Sequence, residues 1–273
     1  MRTLDEFIGR DEIHADSVLV ASDVHAGDEY QGFDPHAWET ALDLAEKHDV
    51  FLVVGDLLDP RADEDVVTRV ASSLSDLDAN TVVIPGNHDT LDHVRVLERH
   101  GVDVRFRKYR RRGRGCPPGH SGPSLGGPID LDLGVSFLVV HGHEPCGELG
   151  LEPMEAENPV AKSSPMPKRD QILDNYACRL YEIPGRMREI ARSVDAEVVV
   201  TGHTHCRFLG SEEGTLLVNV GTTACPATCA TCMDPLNVFN VCRIRVRSEK
   251  LEAKIINLVE GRVIEREEVG VER

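Results

Sequence analysis

The sequence predicts an α/β layered domain, and three observations predict it. Short Val-rich runs bounded by Gly, Asp or Pro recur along the chain. Polar stretches with helical spacing separate most of them. Near the end, three further runs follow one another with only turns between. The runs at 17–22 (SVLVAS), 50–54 (VFLVV), 81–84 (TVVI), 136–140 (SFLVV), 197–200 (EVVV) and 216–220 (LLVNV) read as buried strands. Helices are expected at 35–48, 63–77, 92–99 and 184–193. In the first, Trp38, Ala41, Leu42 and Ala45 fall at helical spacing and would face a sheet. The runs at 240–246, 251–258 and 262–268, separated by RSEK and EG, predict consecutive antiparallel strands in a meander.

A chain of 273 residues with 41% hydrophobic content can bury a substantial core. Its 47 acidic against 30 basic residues give a net charge of -17, which opposes broad binding to nucleic acid or anionic membrane. No apolar run approaches the ~18 residues of a membrane span. The acidic start, MRTLDEFIGRDEIHAD, does not read as a secretory signal, so a cytoplasmic protein without membrane contact is expected. In that compartment the 8 Cys read as free thiols or metal ligands before disulfides. A single domain is expected over 1–273, with three departures from the strand–helix pattern. These are a basic, Gly/Pro-rich hairpin or loop at 105–128, a Pro-rich insertion at 144–169 leading into a helix around 170–181, and a Cys-rich loop at 224–236.

The strand ends carry the chemistry. They read Ser22-Asp23-Val24-His25, Gly55-Asp56-Leu57-Leu58-Asp59, Gly86-Asn87-His88-Asp89, His141-Gly142-His143 and Gly202-His203-Thr204-His205. In open α/β sheets ligands sit outside the carboxyl ends of the strands, where loops converge. In D-x-H and H-x-H alternate side chains leave an extended segment on one side, so both reach one ion. A lone D-x-H is weak, because Asp and His more often cap helices or face solvent. Five such motifs at five strand ends are a donor set of carboxylates, imidazoles and an amide, suited to borderline transition metals. So many donors predict two ions bridged by a carboxylate and a hydroxide, which clamp a phosphoryl group and supply a nucleophile.

DVH, GDLLD, GNHD, HGH and GHTH, in that order, resemble the calcineurin-like metallophosphoesterase superfamily over about residues 17 to 247. The resemblance implies a four-layer α/β sandwich of two central mixed sheets flanked by helices. It implies that Asp23, His25 and His205 hold one ion, that Asp56 bridges, and that Asn87, His141 and His203 hold the other. His88 would bind the phosphate and stabilise or protonate the leaving oxygen, with Asp59 orienting it; Asn87 would share in stabilising the developing charge. His143 is not a usual ligand, so it either touches substrate or shapes its turn. Manganese is the expected metal, and iron, zinc or nickel suit the same ligands. Pro60-Arg61 after Asp59, and Asp89 rather than Glu, separate the chain from Ser/Thr protein phosphatases. A phosphodiesterase acting on a small molecule or nucleotide is therefore expected, with a nuclease as the alternative. A phosphomonoesterase is less expected, and so is a non-catalytic scaffold of the kind formed by relatives that have lost their ligands.

Two further features carry a sharp and a plain interpretation. Cys225, Cys229 and Cys232, with Cys206 or Cys242 as a fourth thiol, would suit zinc or an iron–sulfur cluster; a turn-rich loop with free thiols is the plainer expectation. Arg105, Arg107, Lys108, Arg110, Arg111, Arg112 and Arg114 would form an arm that grips the phosphates of a substrate, nucleic acid being one candidate. A solvated hairpin whose cations pair with the excess carboxylates is again the plainer one.

Overall fold

A computed structural model describes residues 15–27, 32–109, 124–142, 183–224, 235–247 and 249–270. The expected tip of the basic hairpin, the 144–169 insertion, the helix at 170–181, His143 and the thiols Cys225, Cys229 and Cys232 lie outside them.

Two sheets form the centre. The first runs β14-β13-β12-β1-β2-β3-β4, built from Arg262–Gly270, Lys250–Asn257, Asn240–Arg247, Ser17–Ser22, Val50–Val54, Asn80–Ile84 and Asp103–Val104. Strands β1 to β4 are parallel, whereas β12 joins β1 antiparallel and β13 and β14 continue that way. The three last strands are thus an extension of the central sheet rather than a unit of their own. The second sheet runs β10-β11-β9-β8-β7, from Arg207–Glu212, Thr215–Val220, Val198–Thr201, Ser136–Val140 and Ile129–Asp132. Strands β8, β9 and β11 are parallel, with β7 and β10 antiparallel at the edges.

Alternation decides the layers. On β1, Val18 and Val20 enter the core between the sheets, packing with Phe137, Val139, Val198 and Val218. Leu19 and Ala21 point the other way, to helices α1 (Pro35–Ala45), α2 (Glu64–Ser75) and α3 (Leu91–Arg99). Helix α4 (Ile183–Ser193) covers the far face of the second sheet, placing Met187, Ile190 and Ala191 on Leu138, Val140 and Leu217. The result is helix, sheet, sheet, helix. Phe51 and Leu52, both fully buried on opposite faces of β2, each contribute about 1.5–3 kcal/mol of hydrophobic stabilisation.

The helices start where their caps dictate. Asp34 accepts from His36 N at 2.8 Å and Ala37 N at 3.2 Å, with Pro35 at the first turn. Asp63 accepts from Val66 N at 2.8 Å, and Thr90 and His93 form a reciprocal cap on α3. Arg107–Tyr109 (β5) pairs antiparallel with Ser124–Gly126 (β6), so the stems of the basic segment form a hairpin. Near it, Arg105 is ion-paired to Asp103 at 2.8 Å. Among the described residues no helix is long and apolar enough to cross a membrane.

Candidate metal centre

The carboxyl ends of β1, β2, β3, β8 and β9 converge, and each delivers its motif to one place. Two groups of donors come together there: Asp23, His25 and His205, and Asp56, His141 and His203. His205 Nε2 lies 3.2 Å from Asp23 Oδ1, and His141 Nε2 lies 3.2 Å from Asp56 Oδ2. The groups adjoin, since His141 Nε2 is also 3.9 Å from Asp23 Oδ1. Asp23, His141 and Asp56 are at most 2% exposed, and His25 is equally buried.

The backbone is bent to make this arrangement. Seven described non-glycine residues have positive φ, and five of them are Asp23, His25, Asp56, His203 and His205. Such conformations cost of order 1–3 kcal/mol each and persist where surrounding structure over-determines them. The glycines that precede Asp56, Asn87 and His203 provide space. A Cβ on Gly55 would lie 1.8 Å from His141 Nδ1, and one on Gly86 would lie 2.2 Å from Asp56 Oδ1. On Gly202 it would meet Ser22 Oγ at 2.2 Å.

The donors fit metal ions on the arrangement itself. His25 Nε2 and His205 Nε2 face one another at 3.4 Å, and at most one of two neutral imidazoles can donate across that gap. Asn87 Oδ1 is buried and accepts no hydrogen bond among the described residues, as does no donor reach His25 Nδ1. Orphaned buried polar atoms are costly unless something such as a cation satisfies them. Among the described residues no thiol enters either group, so the set is oxygen and imidazole, which suits divalent metal ions.

Electrostatics keep the donors in ligating form. Burial alone would raise the Asp23 carboxyl, but His205 and His141 outweigh it and hold Asp23 below its ordinary value. Burial likewise opposes ionisation of Asp56, and His141 and His88 overcome it, leaving Asp56 well below the usual carboxylate range. Burial pulls His25 down to about 4, against the attraction of Asp56. His88 is raised despite burial, because Asp56 and Asp59 favour its cation. Its Nδ1 lies 3.8 Å from Asp59 Oδ2, its side chain is 28% exposed, and its ring stands edge-on to His25 with centroids 5.0 Å apart.

A model of the calcineurin-like phosphoesterases matches residues 17–207 of the chain. The chain belongs to this family. No curated protein matches it in sequence. Among solved structures, Vacuolar Protein Sorting 29 from Cryptosporidium parvum is 15% identical, covering 95% of this chain and 100% of that one, with a TM-score of 0.51. YfcE, a phosphoesterase from E. coli, is 15% identical over 92% of this chain and 98% of its own, with a TM-score of 0.46. A predicted phosphoesterase from Streptococcus pneumoniae TIGR4 is 15% identical over 95% and 99%, with a TM-score of 0.45.

In this calcineurin-like phosphoesterase several supporting residues go beyond the motif ligands. Asp23 Oδ2 accepts from His203 N at 3.0 Å and from the Ser22 hydroxyl, so the carboxylate is held from two strands. Asp56 Oδ1 accepts from His88 N at 2.8 Å. Thr222 Oγ1 donates to Asp23 O at 2.7 Å, and Thr223 N to Ser22 O at 2.9 Å. Asn219 Nδ2 reaches Thr201 Oγ1 at 3.0 Å and Thr204 Oγ1 at 3.1 Å, which braces the turn carrying His203 and His205. Asp89 accepts from Gly86 N at 2.8 Å, Leu58 N at 3.0 Å and Leu57 N at 3.3 Å, tying two ligand-bearing turns together. Burial, and then Asp56, raise Asp89 to about 6. Cys206 and Cys242 are buried, and burial pushes Cys242 up to about 12.

Proposed function

We propose that the chain is a metal-dependent phosphoesterase with a two-ion centre, acting on phosphodiesters of a small molecule or nucleotide. The observation that carries this reading is the abutment of two complete donor triads on strained turns. Asp23, His25 and His205 would hold one ion; Asn87, His141 and His203 would hold the other, with Asp56 shared between them. Manganese is the metal proposed, and the whole chain is taken as one domain. When bound, the ions would polarise the phosphate ester and supply a water-derived nucleophile at neutral pH.

The remaining work falls to the protein's own groups. The His88 side chain is 28% exposed, against 12% for His205, while Asp23, His25, Asp56 and His141 are buried, so its ring is available to a bound phosphate. Asp59 favours the His88 cation, a form that donates to a leaving oxygen. Asn87, beside it, would bring a preorganised amide to the charge developing on the phosphoryl oxygens. A non-catalytic platform is the second candidate, favoured by the likeness in fold to a protein named for vacuolar sorting, since fold alone does not assign chemistry.

The test is hydrolysis of bis-p-nitrophenyl phosphate beside p-nitrophenyl phosphate by metal-stripped protein reloaded with manganese. Faster diester cleavage is the expected result. Faster monoester cleavage would overturn the diester assignment, and no cleavage of either by metal-loaded protein would favour the platform.

A further inference from the structure

Away from the metal centre, the antiparallel extension of the first sheet has a face of unusual charge. Leu251, Ala253 and Ile255 point into the core between the sheets, so alternate residues point outward. Strand register sets these outward residues in rows across β12, β13 and β14. Val241, Ile256 and Val263 form an apolar row. Arg243, Lys254 and Arg266 lie next, then Arg245, Glu252 and Glu268, then Arg247 and Lys250. Six cations thus share a face with two carboxylates, on a chain whose net charge is -17.

The two carboxylates are already committed. Glu252 takes Lys254, Arg266 at 2.9 Å and Arg247 at 3.9 Å. Glu268 takes Arg266 at 3.2 Å and Lys250 at 4.0 Å. Arg243 and Arg245 have no ion pair among the described residues. Like charges directly opposite across strands are destabilising, yet Arg243 faces Lys254 and Lys254 faces Arg266. At the apolar end stand Val263 and Val259, 48% and 65% exposed, the exposed large hydrophobic residues among those described. The helices α1 to α3 lie over the parallel strands; Val241 and Ile256 pack into that helix-side core, whereas Arg245, Arg247, Lys250 and Arg266 stand exposed beyond it.

We propose that this face is a docking surface for an acidic protein segment that also carries apolar side chains. Arg243, Arg245 and Arg247 repeat about every 6.8 Å along β12, twice the strand rise, which matches alternate side chains of an extended peptide laid beside them. Guanidinium groups also take carboxylates in bidentate fashion. The face carries no aromatic residue on which a base could stack, which separates it from single-strand nucleic-acid platforms. The exposed valines beside the cationic rows suit a partner with both carboxylate and aliphatic groups.

The probe is a fluorescein-labelled, Glu-rich peptide with interspersed Val, followed by anisotropy against the full chain, with an oligothymidylate of matched charge as competitor. The peptide is expected to bind, more weakly as salt rises. The double variant Arg243→Glu, Arg245→Glu should weaken it at least about tenfold, because it reverses two rim charges. Val263→Ser should weaken it severalfold while leaving the salt dependence unchanged. Because these residues lie apart from the metal ligands, metal content and diester hydrolysis should stay at wild-type levels in both variants. No peptide binding, or binding that ignores the double variant, would overturn the proposal. So would tighter binding of the oligothymidylate, or concentration-dependent self-association abolished by the same variant, which would assign the face to nucleic acid or to a second copy.

Discussion

The first sheet has two halves that obey different rules. In the parallel half, β1, β2 and β3 are largely buried on both faces, and the candidate metal-binding side chains, glycines and positive φ values concentrate at their carboxyl ends. In the antiparallel half, β12, β13 and β14 bury one face, and beyond the row of Val241, Ile256 and Val263 the other carries Arg, Lys and Glu. Crossover helices cover the parallel half and force its loops to one end, whereas tight turns leave the antiparallel half open on one side. The proposed chemistry is therefore confined to a strand end in one half, and the proposed recognition is spread over a face in the other.

Substitutions should separate the halves sharply. Gly55→Ala is expected to do the most damage, because the added Cβ collides with His141 at a φ of +75°. It should cost about 3 kcal/mol or more in urea unfolding and remove metal from the second triad, read by plasma mass spectrometry. His88→Ala should cut diester turnover by about 10² to 10³ while both metals stay bound. Retained turnover would remove His88 from the mechanism. Asp89→Ala deprives three buried N–H groups of their acceptor and should cost about 2–3 kcal/mol by urea unfolding. Arg245→Ala, in the open half, should change stability by less than about 0.5 kcal/mol, and a larger loss would show that the charged face is structural.

Most of the fold was legible because its strands are short, Val-rich and buried on both faces, which leaves a continuous apolar run. The strands absent from the sequence-based reading lacked that run. β10 (RFLGSE) is half exposed and carries Gly210, β7 (IDLD) alternates at an edge, and β4 is two residues long. Helix α1 ends at Ala45 rather than 48, since His48 N turns back to Ala45 O. The gathering of the motif side chains was legible because D-x-H and H-x-H repeat at strand ends. Their supports were not: Thr222 meets Asp23 across 199 residues of sequence, and Asn219 meets Thr204 from another strand, so no local pattern marks them.

The central claim is that the two triads hold two ions side by side. Metal content of manganese-loaded, desalted protein, measured by plasma mass spectrometry, tests it most directly. Two ions per chain is the predicted result, and one ion or none per folded chain would contradict it.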